Sequence, residues 1–77
     1  MKEIKVYSTA TCPYCVMVKE YFSSKNISYQ NFDVATDKAA LDEMVKISGQ
    51  MGVPVINIDN EVITGFDKTR IDALLEL

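Results

Sequence analysis

The chain's only two cysteines, Cys12 and Cys15, stand three residues apart, with Pro13 directly after the first. A disulfide between them would close a very short loop and tie no distant segments together. The 77 residues must therefore be held by an apolar core, with no covalent staple across the fold. A domain of this size buries only about 60% of the surface its unfolded chain exposes, so that core leaves little margin. With 48% hydrophobic and 25% charged residues, the composition is that of a globular chain, not a disordered one. One domain over residues 1–77 is the expected organisation, with no repeat, linker or low-complexity segment.

Charge and residue types narrow the function. Eight Lys and Arg against eleven Asp and Glu leave a net charge of −3, which suits nucleic acid poorly as a partner. No apolar run is long enough to span a membrane. The N-terminal segment alternates charged and apolar residues and lacks a signal-peptide core, so a cytoplasmic protein is expected. A stable structural disulfide is unusual there. Histidine is absent, which removes the commonest general base and the commonest zinc ligand together. A zinc half-site at the cysteine pair would lack partners from its own chain, since zinc usually takes four ligands. A redox couple is the reading left with the most support, because C-x-x-C beside a strand–helix–strand pattern is the arrangement such chemistry uses.

The pattern along the chain supplies that setting. Residues 4–8 alternate and favour a strand. Over residues 13–25, Val18, Tyr21 and Phe22 recur at helical spacing. Residues 28–34 read as a second strand, and Thr36 or Asp37 caps a helix through Leu41, Met44 and Val45 that stops at Gly49. Residues 54–58 and 61–64 flank Asp59-Asn60 as a tight hairpin. Asp67 caps a last helix carrying Ile71, Leu74 and Leu75. The order implies a parallel first strand–helix–strand unit, an antiparallel hairpin, and a small mixed α/β sheet with helices on its faces.

Pro13 suits the first helical position, because its missing N–H would have no partner there. Cys12 is then the N-cap, and its sulfur faces the backbone N–H groups of Tyr14 and Cys15. Those donors and the helix dipole favour thiolate over thiol, so the Cys12 pKa is expected below that of a free cysteine. Cys15 falls on the face of Val18 and Phe22 and is expected to be buried and less ionised.

Thr11-Cys12-Pro13-Tyr14-Cys15 after a strand, Gly52-Val53-Pro54 before the hairpin and Gly65-Phe66-Asp67 after it resemble the dithiol glutaredoxins of the thioredoxin fold. The resemblance runs over essentially the whole chain. It implies a four-stranded mixed sheet flanked by three helices, in the order βαβαββα, and a cis peptide between Val53 and Pro54. It implies Cys12 as nucleophile and Cys15 as resolving thiol, with glutathione bound by Tyr14, Val53, Pro54, Phe66 and Asp67. In that arrangement the Val53 backbone pairs with the glutathione cysteine, while Phe66 and Asp67 hold the γ-glutamyl end. Glutathione would be a co-substrate, with no permanently bound cofactor and no metal, and the partners would be disulfide-containing or glutathionylated proteins. A monomer is expected.

The sequence also departs from the family pattern. Thr9 stands where a lysine is usual, and Ile47 and Gln50 lie near a position often basic or glutamine. Thr64-Gly65 replaces a pair of glycines, and Lys68 replaces a second aspartate, where it would restore a positive charge for a glutathione carboxylate. Thr64-Gly65-Phe66 further resembles small redoxins that serve ribonucleotide reductase and are recharged by thioredoxin reductase, which is the alternative reading. A cluster or zinc carrier bridging two chains through Cys12 is a third, although carriers in the family mostly have another motif.

Overall fold

The computed structural model describes residues 3–75. Met1 and Lys2, where the N-terminal segment discussed above begins, lie outside them, as do Glu76 and Leu77. The elements run β1 (Ile4–Ser8), α1 (Pro13–Ser24), β2 (Gln30–Asp33), α2 (Lys38–Ser48), β3 (Val55–Ile58), β4 (Glu61–Thr64) and α3 (Lys68–Leu75). The strands form one sheet in the order β2-β1-β3-β4. β1 pairs with β2 in parallel, and β3 is antiparallel to both β1 and β4. This is the mixed four-stranded sheet with three helices that the resemblance implied.

The alternation of each strand divides the core into two clusters. Ile4 and Val6 of β1, Ile56 and Ile58 of β3 and Ile63 of β4 pack with Val18 and Phe22 of α1 and Ile71 of α3. The opposite pleat carries Tyr7 and Val55 against Ala40 and Met44 of α2, with Val34 closing the end. The sheet is thus covered on both faces, and β1 and β3 contribute apolar residues to each of them. Tyr7 is buried, and its hydroxyl finds a partner by donating to Glu43 Oε1 at 2.7 Å.

The turn chemistry follows the residues. Asp59 and Asn60 both take positive φ, 48° and 72°, as a two-residue hairpin of type I′ requires. Asp37, not Thr36, caps α2, its side chain accepting from Ala40 N at 3.1 Å. Gly49 ends that helix at φ 73°, a left-handed conformation that glycine adopts without a Cβ penalty. Several boundaries differ from the sequence reading: α1 ends at Ser24 and β2 at Asp33, one residue early in each case, and two strands start late. β2 begins at Gln30, because Tyr29 instead turns its ring toward Phe22, with centroids 5.5 Å apart, and β2 is an edge strand with an exposed first half. β3 begins at Val55, since Pro54 has no N–H to give to a ladder.

Candidate active site

β1 ends at Ser8, and the turn through Thr11 delivers the chain to the start of α1. Cys12 has extended backbone angles, φ −88° and ψ 115°, and is the N-cap of α1, with Pro13 opening the helix. Its carbonyl accepts the first helical bond from Val16 N at 3.2 Å. Its sulfur accepts from the backbone N–H of Cys15 at 3.3 Å. Cys12 is half-buried, Cys15 is fully buried on the core side of α1, and both are free thiols.

The environments of the two sulfurs push their pKa values apart. Burial alone raises the Cys12 pKa, but it is outweighed by a hydrogen bond from the Cys15 thiol, by the N–H groups of Cys15 and Tyr14, and by the charge of Lys19; the net shift is downward. Cys15 is pushed up to about 11, first by burial and then by donating its proton to Cys12, against a smaller opposite pull from the Thr9 N–H. Sequence reasoning did not single out Lys19. It stands seven positions after Cys12, two helical turns along the same stripe, and that spacing could have placed it.

The sign of these shifts sets an expected result. A lowered acid pKa means more thiolate at a given pH, so Cys12 should alkylate well ahead of Cys15 at neutral pH. Its rate should fall only when the pH drops through that lowered pKa. Cys15 should stay a protonated thiol until the solution approaches pH 11 or so. Iodoacetamide labelling of the reduced protein, read by peptide mass mapping across a pH series, checks this. Equal labelling of both cysteines at neutral pH would contradict it.

Beside the cysteines runs an open groove of about 360 Å³. The structure brings all five residues expected for it to its wall: Tyr14, Val53, Pro54, Phe66 and Asp67. Sequence reasoning did not assign Thr64 and Gly65 to this wall, although they adjoin the Gly65-Phe66-Asp67 motif. The Val53–Pro54 peptide is cis. The Val53 carbonyl lies 3.7 Å from Cys12 Sγ, which donates to it as a thiol. Val53 lies two residues beyond the point where β3 pairs with both neighbours, Tyr7↔Val55 and Val55↔Thr64. Gly65, at φ 79°, bonds its N–H to the Pro54 carbonyl at 2.8 Å and so fixes the start of α3 against the groove floor. Asp67 caps α3: its side chain accepts from Arg70 N at 3.1 Å and its carbonyl from Ile71 N at 2.9 Å. The N–H groups of Lys68 and Thr69, the first of α3, have no acceptor within the helix.

One expectation fails on geometry. Lys68 does not turn toward the groove to replace a lost charge. Its Nζ bonds Asp72 Oδ2 at 3.0 Å and lies 5.3 Å from the centre of the Tyr21 ring. Tyr21 in turn donates to Asp72 Oδ1, so the lysine is held on the α1–α3 seam. Gln50 is exposed and not part of the groove wall, and Thr9 carries no charge. Among the described residues no three histidine, cysteine or acidic side chains are grouped so as to hold a metal ion, and no helix is long and apolar enough to cross a membrane.

Comparison with known proteins agrees with this geometry. The glutaredoxin family model matches residues 4–63. An uncharacterized glutaredoxin-like 8.6 kDa protein in the rubredoxin operon of Clostridium pasteurianum is 53% identical over 73 residues, which are 95% of this chain and 97% of that protein. A crystal structure of a point mutant of the thioredoxin-like protein BC3987 superposes with a TM-score of 0.92 at 38% identity, covering 99% of this chain and 97% of the other. The complex of buckwheat glutaredoxin with glutathione superposes with a TM-score of 0.78 at 26% identity, covering 97% of this chain and 74% of the other.

Proposed function

As the chain belongs to the glutaredoxin family, whose chemistry is thiol–disulfide exchange, we propose that it reduces protein disulfides and glutathione mixed disulfides through Cys12 and Cys15, with glutathione as reductant. The observation that carries this reading is the half-buried, acidified thiol of Cys12 at a helix N-cap, backed one turn later by a buried and protonated Cys15.

The steps follow from that asymmetry. The Cys12 thiolate attacks one sulfur of the substrate disulfide; a Cys12–substrate bond forms, the substrate bond breaks, and the departing thiolate takes a proton from solvent. Cys15 then loses its proton and attacks Cys12 Sγ. The Cys12–Cys15 disulfide forms and the second substrate thiol leaves. Two electrons have passed from the cysteine pair to the substrate. Two glutathione molecules return them and leave as glutathione disulfide. For a glutathionylated protein, Cys12 takes the glutathionyl group and a second glutathione releases it, so that Cys15 is dispensable.

The groove supports glutathione as the co-substrate. The Val53 backbone offers N–H and C=O groups to an added extended chain. Pro54 and Tyr14 wall the cysteine end, and the first N–H groups of α3, beyond Phe66, suit a carboxylate while Asp67 suits an ammonium. The related buckwheat protein was crystallised with glutathione. In this reading the protein acts as a cytoplasmic monomer of one domain, without resident metal or cofactor, on disulfide-containing or glutathionylated proteins.

A second reading has one observation in its favour. With Thr9 neutral and Lys68 bound to Asp72, no cationic side chain lines the groove wall among the described residues. That favours a redoxin recharged by thioredoxin reductase, for instance one serving ribonucleotide reductase. Turnover of a glutathione mixed disulfide is therefore to be measured in parallel with glutathione plus glutathione reductase and with thioredoxin reductase alone. Turnover sustained by glutathione is the expected result. Turnover only with thioredoxin reductase would replace the first reading with the second.

A further inference from the structure

The wall of the groove beside Cys12 carries a single charge among the described residues, and it is negative; Lys19, whose charge reaches Cys12, is not on that wall. Tyr14, Val53, Pro54, Thr64, Gly65 and Phe66 line it without charge, and Asp67 supplies one carboxylate. The nearby cations on α3 are engaged elsewhere. Lys68 is held by Asp72 over the Tyr21 ring, and Arg70 points to Glu61 Oε2 at 3.7 Å. Glutathione has two carboxylates and one ammonium at neutral pH. Asp67 and the α3 N-terminus accommodate the ammonium and one carboxylate, and the second carboxylate meets no cation on the groove wall.

A polypeptide segment fits the same surface better. Its backbone can pair with Val53, whose N–H and C=O are bonded to neither β1 nor β4 and lie directly beside the nucleophile. Tyr14, 61% exposed on the groove wall, offers such a segment a large apolar surface. Asp67 is exposed, and its Oδ1 takes the Arg70 N–H, leaving acceptor capacity on the carboxylate.

We propose that the favoured substrate of this groove is an extended, disulfide-bearing protein segment with a lysine or arginine within two residues of the reacting cysteine, and that Asp67 reads that charge. The proposal rests on the thiol–disulfide activity argued above and specifies which disulfides it acts on.

The test uses symmetric disulfide dimers of two short peptides with blocked ends. They are identical except that the residues flanking the single cysteine are lysine in one and glutamate in the other. Symmetry makes both sulfurs equivalent, and each rate is divided by that of the uncatalysed reaction with 2-mercaptoethanol, a neutral thiol. The full chain is pre-reduced, mixed with peptide at low ionic strength, quenched with acid and scored for Cys12–Cys15 disulfide. One attraction and one repulsion at an exposed carboxylate together predict a five- to tenfold preference, on the order of two surface ion-pair increments, for the lysine peptide. Added salt should shrink the preference.

Asp67→Asn is the decisive variant, because asparagine caps a helix about as well as aspartate and leaves α3 in place. It should bring the ratio of the two rates to within about twofold, since no charge remains to distinguish them. Equal rates in the unaltered protein, or an unchanged ratio in Asp67→Asn, would overturn the proposal while leaving the exchange chemistry standing. Reduction of neither peptide above the uncatalysed rate would overturn both.

Discussion

Cys12→Ser is expected to lower every thiol–disulfide activity of the protein to the uncatalysed background, a loss of about a thousandfold or more. Serine keeps the cap, since its oxygen accepts from the same backbone N–H groups that Cys12 Sγ uses. The helix should therefore persist, and circular dichroism should not change. What disappears is the nucleophile: an alcohol does not ionise at neutral pH and forms no bond of disulfide type. Cys15→Ser should behave differently. A hydroxyl at that position can still donate toward Cys12, and the N–H groups of positions 14 and 15 and Lys19 are untouched, so the Cys12 thiolate survives. Removal of glutathione from a mixed disulfide should then stay within a few-fold of the original rate, whereas net reduction of protein disulfides, which needs the second thiol, should fall by about a hundredfold. Two assays on these two variants separate the roles. Equal inactivity of both variants toward a glutathione mixed disulfide would refute the assignment of Cys12 as sole nucleophile.

The cysteine pair was legible because local rules fix it. A proline after the first cysteine sets a helix start, and a helix start sets which sulfur receives N–H groups. The same holds for Asp59-Asn60, whose left-handed pair leaves little freedom for the hairpin. The groove was legible for a different reason. Its walls come from residues 14, 53–54 and 64–67, far apart in sequence, and only the resemblance joined them. Spacing and periodicity do not state that β1 lies between β2 and β3. The fate of Lys68 was not legible at all. Its position beside Asp67 suggested a ligand contact, but the competing partner, Asp72, stands one helical turn later, and Tyr21 comes from another element. An i,i+4 lysine–aspartate pair is visible in sequence. That the tyrosine would complete the site required the packing of α1 on α3.

The position of Cys12 depends on that packing as much as on its own cap. Lys19 and Cys15 stand on the same helix as Cys12, so their effect on its sulfur needs α1 folded, and the burial that keeps Cys15 protonated needs α1 on the sheet. The fold holds α1 there with few large groups: Val18, Phe22 and, partly buried, Tyr21. An engineered change far from Cys12 can therefore abolish the chemistry without touching it, and the way to distinguish such a change is to follow stability and activity together.

Phe22→Ala is the change expected to do so. Phe22 is fully buried and meets the rings of Tyr21 and Tyr29 at 6.2 and 5.5 Å. Truncating a buried phenylalanine to alanine costs about 3–5 kcal/mol, from lost burial and from the cavity that remains. A chain of 77 residues has a total stability of roughly 4–12 kcal/mol, so the loss runs from about a quarter of it to all of it. Urea unfolding followed by circular dichroism should show the midpoint falling by about 2 M or more, with the variant partly unfolded before any urea is added if the parent lies in the lower half of that range. Val16→Ala, on the exposed side of the same helix, should move the midpoint little, since a surface truncation usually stays within about 0.5 kcal/mol. Residual activity of Phe22→Ala should track its folded fraction, because the Cys12 thiolate has its partners only in the folded state. A stability loss below about 1 kcal/mol would mean that the α1 face of the sheet is not the main core, against everything its burial indicates. Full stability with lost activity would instead place Phe22 in the chemistry, which its place in the core and not on the groove wall argues against.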